Sequence, residues 1–389
     1  MRTEKLSLYV HIPWCTRKCP YCDFNSYLKT AEVNESVYVD ALLADLDDEV
    51  ALAVPETLDS IFFGGGTPSL FSGKALNRLM VGIRDRCAVA PDAEITLEAN
   101  PGSAEAERFA AYREAGVNRL SLGVQSFDDE CLSALGRVHS AEEAHAALRA
   151  TRALFENFNV DLMYGLPRQA PGGALADLEA ALAYAPPHIS WYQLTLEAGT
   201  AFARSPPELP DAEQMDDDFE RGLARLQSAG YGHYEISAHA QAGRRSRHNL
   251  NYWCFGDYIG IGAGAHGKRR LEGKVVRRAK MRQPARYLRA ALDRSALETA
   301  QVVSARELVI EYLLNVLRLR DGFELDAFER ATGLSRATPL FAEPLTEALL
   351  RGWLEQDGSR IRPTETGFRF VSDIQMLFLG YGEQAVVGQ

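Results

Sequence analysis

The sequence predicts an α/β protein: a partial (β/α)6 barrel followed by a mainly helical, winged-helix-like C-terminal domain. Three observations carry this. From residue 6 onward short β-rich runs alternate with stretches whose apolar residues recur at helical spacing, the pattern that a parallel sheet produces through right-handed crossovers. Beyond about residue 280 the rhythm changes to helices. The 389 residues exceed one typical domain, so a division into residues 1–280 and 281–389 is expected at that change.

The expected strands are residues 6–13 (LSLYVHIP), 58–66, 93–101, 117–126, 159–167 and 188–197. Helical stretches separate them: 34–53, 73–87, 104–116, 140–155 and 173–185. Residues 205–215, rich in proline and acid, read as a loop, and a helix resumes at 217–230, with Asp216, Asp217 and Asp218 at its start where their charge suits the helix dipole. Downstream, SARELVIEYLLNVLRLR, ELDAFERATG and PLTEALLRGWLEQDG read as helices and SRIRPTETGFRFV as a hairpin.

With 46% hydrophobic and 24% charged residues the composition is that of an ordinary globular protein. No run of about 18 apolar residues exists to span a membrane. His11 and Pro13 interrupt the N-terminal apolar stretch that a signal peptide would need. A cytoplasmic location without a transmembrane segment is expected, which leaves peripheral membrane contact open. The net charge of −11 opposes general nucleic-acid binding. Residues 244–294, however, hold 14 Lys/Arg against Asp257, Glu272 and Asp293, either a solvated basic face or a dock for an anion. Residues 300–389 carry 9 basic against 13 acidic side chains, which disfavours DNA binding by the C-terminal domain.

Of six cysteines, Cys15, Cys19 and Cys22 crowd into eight positions directly after the first strand, where a parallel barrel displays its active-site loops. Zinc would want a fourth ligand and usually a second knuckle, and no second CxxC follows. Three thiolates on an iron–sulfur cubane would instead leave one iron open, as a reactive site requires.

YVHIPWCTRKCPYC (9–22) resembles the cluster loop of the radical S-adenosylmethionine (SAM) family. That resemblance implies the partial (β/α)6 radical SAM barrel. It also implies a [4Fe-4S] cluster on Cys15, Cys19 and Cys22, and S-adenosylmethionine chelating the fourth iron. FFGGGTPS resembles the family's glycine loop, with Gly64, Gly65, Gly66 and Thr67 close to the cofactor. TLEANPGS, LSLGVQSF, LGRVH and VDLMYGLP follow in order and are similar to the oxygen-independent coproporphyrinogen oxidase group. By that resemblance Tyr9, Tyr21, Glu98, Gln125, Arg137 and Asp161 would line the cofactor site. Glu98 suits ammonium or ribose groups, Gln125 and Asp161 suit hydroxyls, and the forked Arg137 suits a carboxylate.

Two departures separate the chain from the decarboxylating enzymes. Where their motif continues CxxxCxxCxC, this chain has Phe24, and only 14 residues precede Cys15. Both agree with the HemW-type heme chaperone branch, which implies heme as ligand and recipient hemoproteins as partners. The alternative is a radical enzyme that decarboxylates coproporphyrinogen III propionates. The branch's HNxxYW mark appears as HNLNYW at 248–253. His248 is the candidate axial ligand, or else a residue that holds the barrel's last loop in place. Tyr252 and Trp253 are candidates to pack on the porphyrin, with Arg244, Arg245 and Arg247 near for its propionates. His266 is a weaker ligand candidate, as is Cys254. Cys87 and Cys131 read as small buried hydrophobes. His11 is expected to face the interior near the cluster loop.

Overall fold

Strands buried on both faces are near-continuous apolar runs, and β1 (Leu6–Ile12) has that character, with Leu8, Val10 and Ile12 fully buried. The computed structural model describes residues 6–29, 34–53, 57–102 and 106–387, with side chains to residue 380. The first five residues of the N-terminal segment, Ser103 of TLEANPGS and the start of the helix expected at 104–116 lie outside the described residues.

After β1 come β2 (Trp14–Cys15), β3 (Tyr27–Leu28), β4 (Leu58–Gly65), β5 (Val89–Ala99), β6 (Arg119–Gln125), β7 (Phe158–Tyr164) and β8 (His188–Gln193). Then follow β9 (Gly232–Glu235), β10 (Ala238–Ala240), β11 (Asp257–Ile261), β12 (His266–Leu271), β13 (Lys274–Lys280) and β14 (Leu297–Val302). All but β2 and β3 join one sheet, in the order β14-β13-β12-β11-β1-β4-β5-β6-β7-β8-β10-β9. The stretch from β11 to β8 is parallel, and the flanking pairs are antiparallel. The six expected strands are all present, and β11, formed by the DYIGI segment, is a further parallel strand beside β1.

Helices cover the sheet because their apolar stripes have nowhere else to go. Helix Glu35–Leu52 starts where the Asn34 side chain accepts from Val37 N. It buries Tyr38, Val39, Leu42 and Leu46 completely, at about 1.5–3 kcal/mol for each large side chain. Helix Ala141–Leu154 is opened by a capping box between Ser140 and Glu143. Helix Ala212–Ser228 begins earlier than the sequence predicts: Asp211, accepting from Gln214 N at 2.8 Å, is the cap. Asp216, Asp217 and Asp218 therefore lie within the helix, and Asp217 pairs with Arg221 one turn on.

The sheet continues past residue 280. Helix Pro284–Leu292 packs on helix Glu35–Leu52 before β14 adds the edge strand. From Ser304, which caps helix Ala305–Val316 with Glu307, the chain builds a second core with helices Leu325–Thr332, Pro339–Leu350 and Val371–Val387. Phe328 and Phe341 stack there at 3.9 Å, and Tyr312 meets both Phe323 and Phe328 edge-on. A small sheet of β15 (Phe323–Glu324), β16 (Leu354–Asp357) and β17 (Arg360–Pro363) completes it. The hairpin is thus 354–363, and the TETGFR stretch expected in it forms helix Glu365–Arg369, because Thr364 caps Gly367 N. Arg318 reaches back to Glu235 at 3.0 Å and Arg277 to Glu311, tying the two cores together.

Candidate functional site

Parallel strands end on one edge, and that edge carries the cysteine loop. The loop leaves β1 through Pro13, and β2 pairs with β3 (Trp14 with Tyr27, Cys15 with Leu28), which closes residues 16–26 into a hoop. Three further bonds hold it. His11 Nε2 donates to Asn25 O at 2.8 Å, while Asn25 Nδ2 donates to Ala263 O and Arg282 O at 2.9 and 3.0 Å. His11 thus faces inward and bonds the loop, as expected. The carbonyl acceptor fixes the proton on Nε2, so Nδ1 accepts from Tyr9 OH at 3.0 Å.

Cys15, Cys19 and Cys22 carry free thiols that open into one cavity of about 450 Å³. Among the described residues no three His, Cys, Asp or Glu side chains converge on one ion position. Three thiols on one cavity wall suit a cubane, in which each thiolate takes a different iron. Burial raises the Cys15 and Cys22 thiols above their ordinary value, so thiolates here need a compensating cation. Arg137 Nη1 lies 3.8 Å from Cys19 Sγ, and Nη2 donates to Asn100 Oδ1 and Gly123 O at 2.7 and 2.6 Å. Its buried Nε has no partner among the described residues. The donor set and this orphaned N–H fit an iron–sulfur cluster with a polar ligand beside it.

Tyr21, Gly65, Gly66, Thr67, Glu98 and Gln125 line the same cavity, as do Arg137 and Asp161. At Gly65 (φ +115°) an added Cβ would lie 2.6 Å from the His11 ring, so only glycine lets β4 turn over the loop. Burial pushes the Glu98 carboxyl up to about 8, with the Asp161 charge adding, against the opposing effects of the Gly65 N–H and Arg119. Asp161 is also raised by burial, though Asn159 and Ser121 donate to it at 2.7 and 3.2 Å. Gln125 sits at φ +73°, a conformation an L-residue rarely adopts, at an irregularity between β6 and β7. Tyr192 OH donates to its Oε1 at 3.0 Å. Gly64 does not line this cavity; a Cβ there would press on Tyr9 and Phe62 at 3.0 Å.

Tyr9 faces a second, adjoining cavity of about 810 Å³, which shares Asp23, Phe24, Gly65, Glu98 and Trp253 with the first. Tyr252, Tyr258, His266, Arg277 and Arg282 also line it. His248 does not. It is 1% exposed, with Nδ1 bonded to Ser60 Oγ at 2.9 Å and Nε2 to Tyr252 OH at 3.0 Å, and its ring stacks on Phe62. The ring pins helix Arg247–Trp253 to β4 and aims Tyr252. Burial depresses its imidazole to about 3, so it is neutral.

The expected basic dock is largely consumed inside the fold. Lys280 meets Asp45 and Glu49 at 2.6 and 2.5 Å, Arg278 meets Glu49, and Lys268 meets Asp257. Arg247 is held by Asp59 and Asp92, and Arg245 by Asp321. Neither arginine lines the second cavity, nor does Arg244. Cys254 is exposed outside both cavities, whereas Cys87 and Cys131 are buried as expected. Sequence reasoning did not single out Asn100, although it lies in the TLEANPGS motif. Tyr192 gave no signal, since SWYQ reads as plain strand.

Residues 9–179 match the radical SAM superfamily and 303–370 the HemN C-terminal domain. The Escherichia coli K12 protein named heme chaperone HemW is 47% identical over 97% of this chain and 99% of its own length. Its Haemophilus influenzae counterpart is 43% identical over 96% and 98%. A bovine mitochondrial protein, radical S-adenosyl methionine domain-containing protein 1, is 41% identical over 68% of this chain and 61% of its own. In fold, the solved E. coli coproporphyrinogen III oxidase (HemN), a radical SAM enzyme, superposes with a TM-score of 0.81 at 24% identity, covering 96% of this chain and 90% of that one. An α/β sheet with a loop of three free thiols at its strand ends and a helical C-terminal unit, joined to full-length identity at this level, places the chain in the HemW family of radical SAM proteins.

Proposed function

We propose that the chain is a cytoplasmic heme chaperone: it binds a [4Fe-4S] cluster and S-adenosylmethionine in the cysteine cavity, takes heme in the adjoining cavity and hands it to recipient hemoproteins. Support comes from relatives named heme chaperone along nearly the whole chain. The observation that carries the reading is the second cavity. At about 810 Å³ it falls in the upper part of the range of ligand pockets, roughly 300–1,000 Å³. Tyr9, Tyr252, Trp253 and Tyr258 give it aromatic faces for a flat macrocycle, and Arg282 gives it a cation for a carboxylate.

In the cysteine cavity the cluster with its bound cofactor would supply one-electron chemistry. This chain's residues set the surroundings. Cys15, Cys19 and Cys22 hold the metal, Glu98 accepts from a cationic or hydroxyl group, Arg137 pairs with a carboxylate, and Gln125 and Asp161 receive hydroxyls. Phe24 stands at the junction of the two cavities, where the decarboxylating relatives are expected to carry a thiol.

The test is anaerobic. Reconstituted protein should contain about four irons and four sulfides on the three thiols and bind one heme per chain by absorption titration. With reductant, S-adenosylmethionine and coproporphyrinogen it should form no protoporphyrinogen by chromatography. Sustained turnover of that substrate overturns the reading.

A further inference from the structure

Resting on the heme-chaperone reading, the geometry points to His266 as the axial ligand of the heme iron in the second cavity, with His248 a positioning residue that acts through Tyr252. A ligand histidine must offer an unprotonated ring nitrogen to the cavity. Of the two histidines in the wall, His11 has both nitrogens engaged, by Asn25 O and Tyr9 OH. His266, at the start of β12, is exposed on the wall and makes no side-chain hydrogen bond among the described residues. Partial burial and the neighbouring Arg277 and Arg282 lower its pKa, with Glu298 opposing, which keeps the lone pair available.

His248 is placed to do something else. Its two nitrogens close a relay from Ser7 Oγ through Ser60 Oγ (2.7 Å) to Tyr252 OH, and Tyr252 meets Tyr258 edge-on at 4.5 Å. To reach an iron, His248 would have to break that relay and pass Tyr252. Arg282 is the cation near His266 that is left to meet a carboxylate of the ligand. Arg277 is already bidentate on Glu311, whereas the Arg282 side chain has no acceptor among the described residues. Trp253 presents a buried Nε1–H without a partner among the described residues, its ring covered on one side by Arg318 at 4.2 Å.

Full-length apoprotein is titrated with hemin and followed by Soret absorption and low-temperature electron paramagnetic resonance. Wild type should show a histidine-ligated ferric signature. His266→Ala should weaken binding at least tenfold and lose that signature, and added imidazole should restore it. His266→Cys should replace it with a thiolate spectrum, a gain that misfolding cannot mimic. His248→Ala should weaken binding several-fold with the histidine signature retained, and Arg282→Ala should weaken it about threefold. A histidine signature that survives in His266→Ala and disappears in His248→Ala overturns the assignment. Failure of wild type to bind hemin at all sinks the chaperone reading instead.

Discussion

The two cavities share a wall but are built by different means. Around the cysteines, backbone conformation does the holding: Gly65 and Gln125 at positive φ, a hoop closed by β2 and β3, and Arg137 fastened to a carbonyl and an amide. Around the aromatic cavity, side chains from distant segments do it, with His248 on one helix gripping Ser60 on β4 and presenting Tyr252. A site held by backbone rests mostly on short motifs at strand ends, with Asn25 as its one long-range tie, to Ala263 and Arg282. A site held by relayed side chains depends on packing between segments some 188 residues apart, as for Ser60 and His248. The first kind tolerates little change in its own motif, and the second is disturbed from outside it.

The largest effect that can break this contrast comes from the thiols. Replacing Cys15, Cys19 and Cys22 together with alanine should abolish iron and sulfide retention while far-ultraviolet circular dichroism and hemin titration stay near wild type. Loss of hemin binding in that variant would mean that the cavities are one unit. Next in size is Gly65→Ala, which sets a Cβ against the hydrogen-bonded His11 ring in a conformation costly for alanine. It should cost about 2–4 kcal/mol in urea unfolding, and an unshifted midpoint would show that the glycine turn is not rigid.

The smallest effect concerns pH and reads the relayed cavity. His248 is depressed by burial to about 3, and His139 and His233 to about 4, also chiefly by burial. An unfolded histidine takes a proton near pH 6.5, so between about 6.5 and these folded values the unfolded chain binds more protons. The stability that these histidines contribute should therefore be full above about 6.5 and fall as pH drops toward 4, while Glu98, raised to about 8, contributes with the opposite sign. The share of His248 is about 2 kcal/mol at pH 5. His248→Gln should flatten that slope, and an unchanged slope would show that the ring titrates normally.

What could be read from sequence follows the same division. The six parallel strands were legible because burial on both faces leaves them unbroken apolar runs, and the cysteines because spacing alone defines their hoop. The charge excess at 244–294 was visible but not its fate. Lys280 and Arg278 are neutralised by Asp45 and Glu49 on a helix far upstream, a pairing that no local pattern announces. HNLNYW marked an important segment, yet its histidine points away from the cavity that its tyrosine and tryptophan line, because Ser60 and Phe62 claim the ring. The start of helix Ala212–Ser228 was misread since three consecutive aspartates masked the single one that caps it.

β1, translated first, is an interior strand bracketed by β4 and β11, and Glu49 meets Lys280 across 231 residues. On a nascent chain the β1–β11 pair and the Glu49–Lys280 contact cannot form until those later segments have emerged. Until then the cysteine hoop lacks its anchor on Ala263 and Arg282. The hoop's full set of bonds is therefore available only once residue 282 has been made.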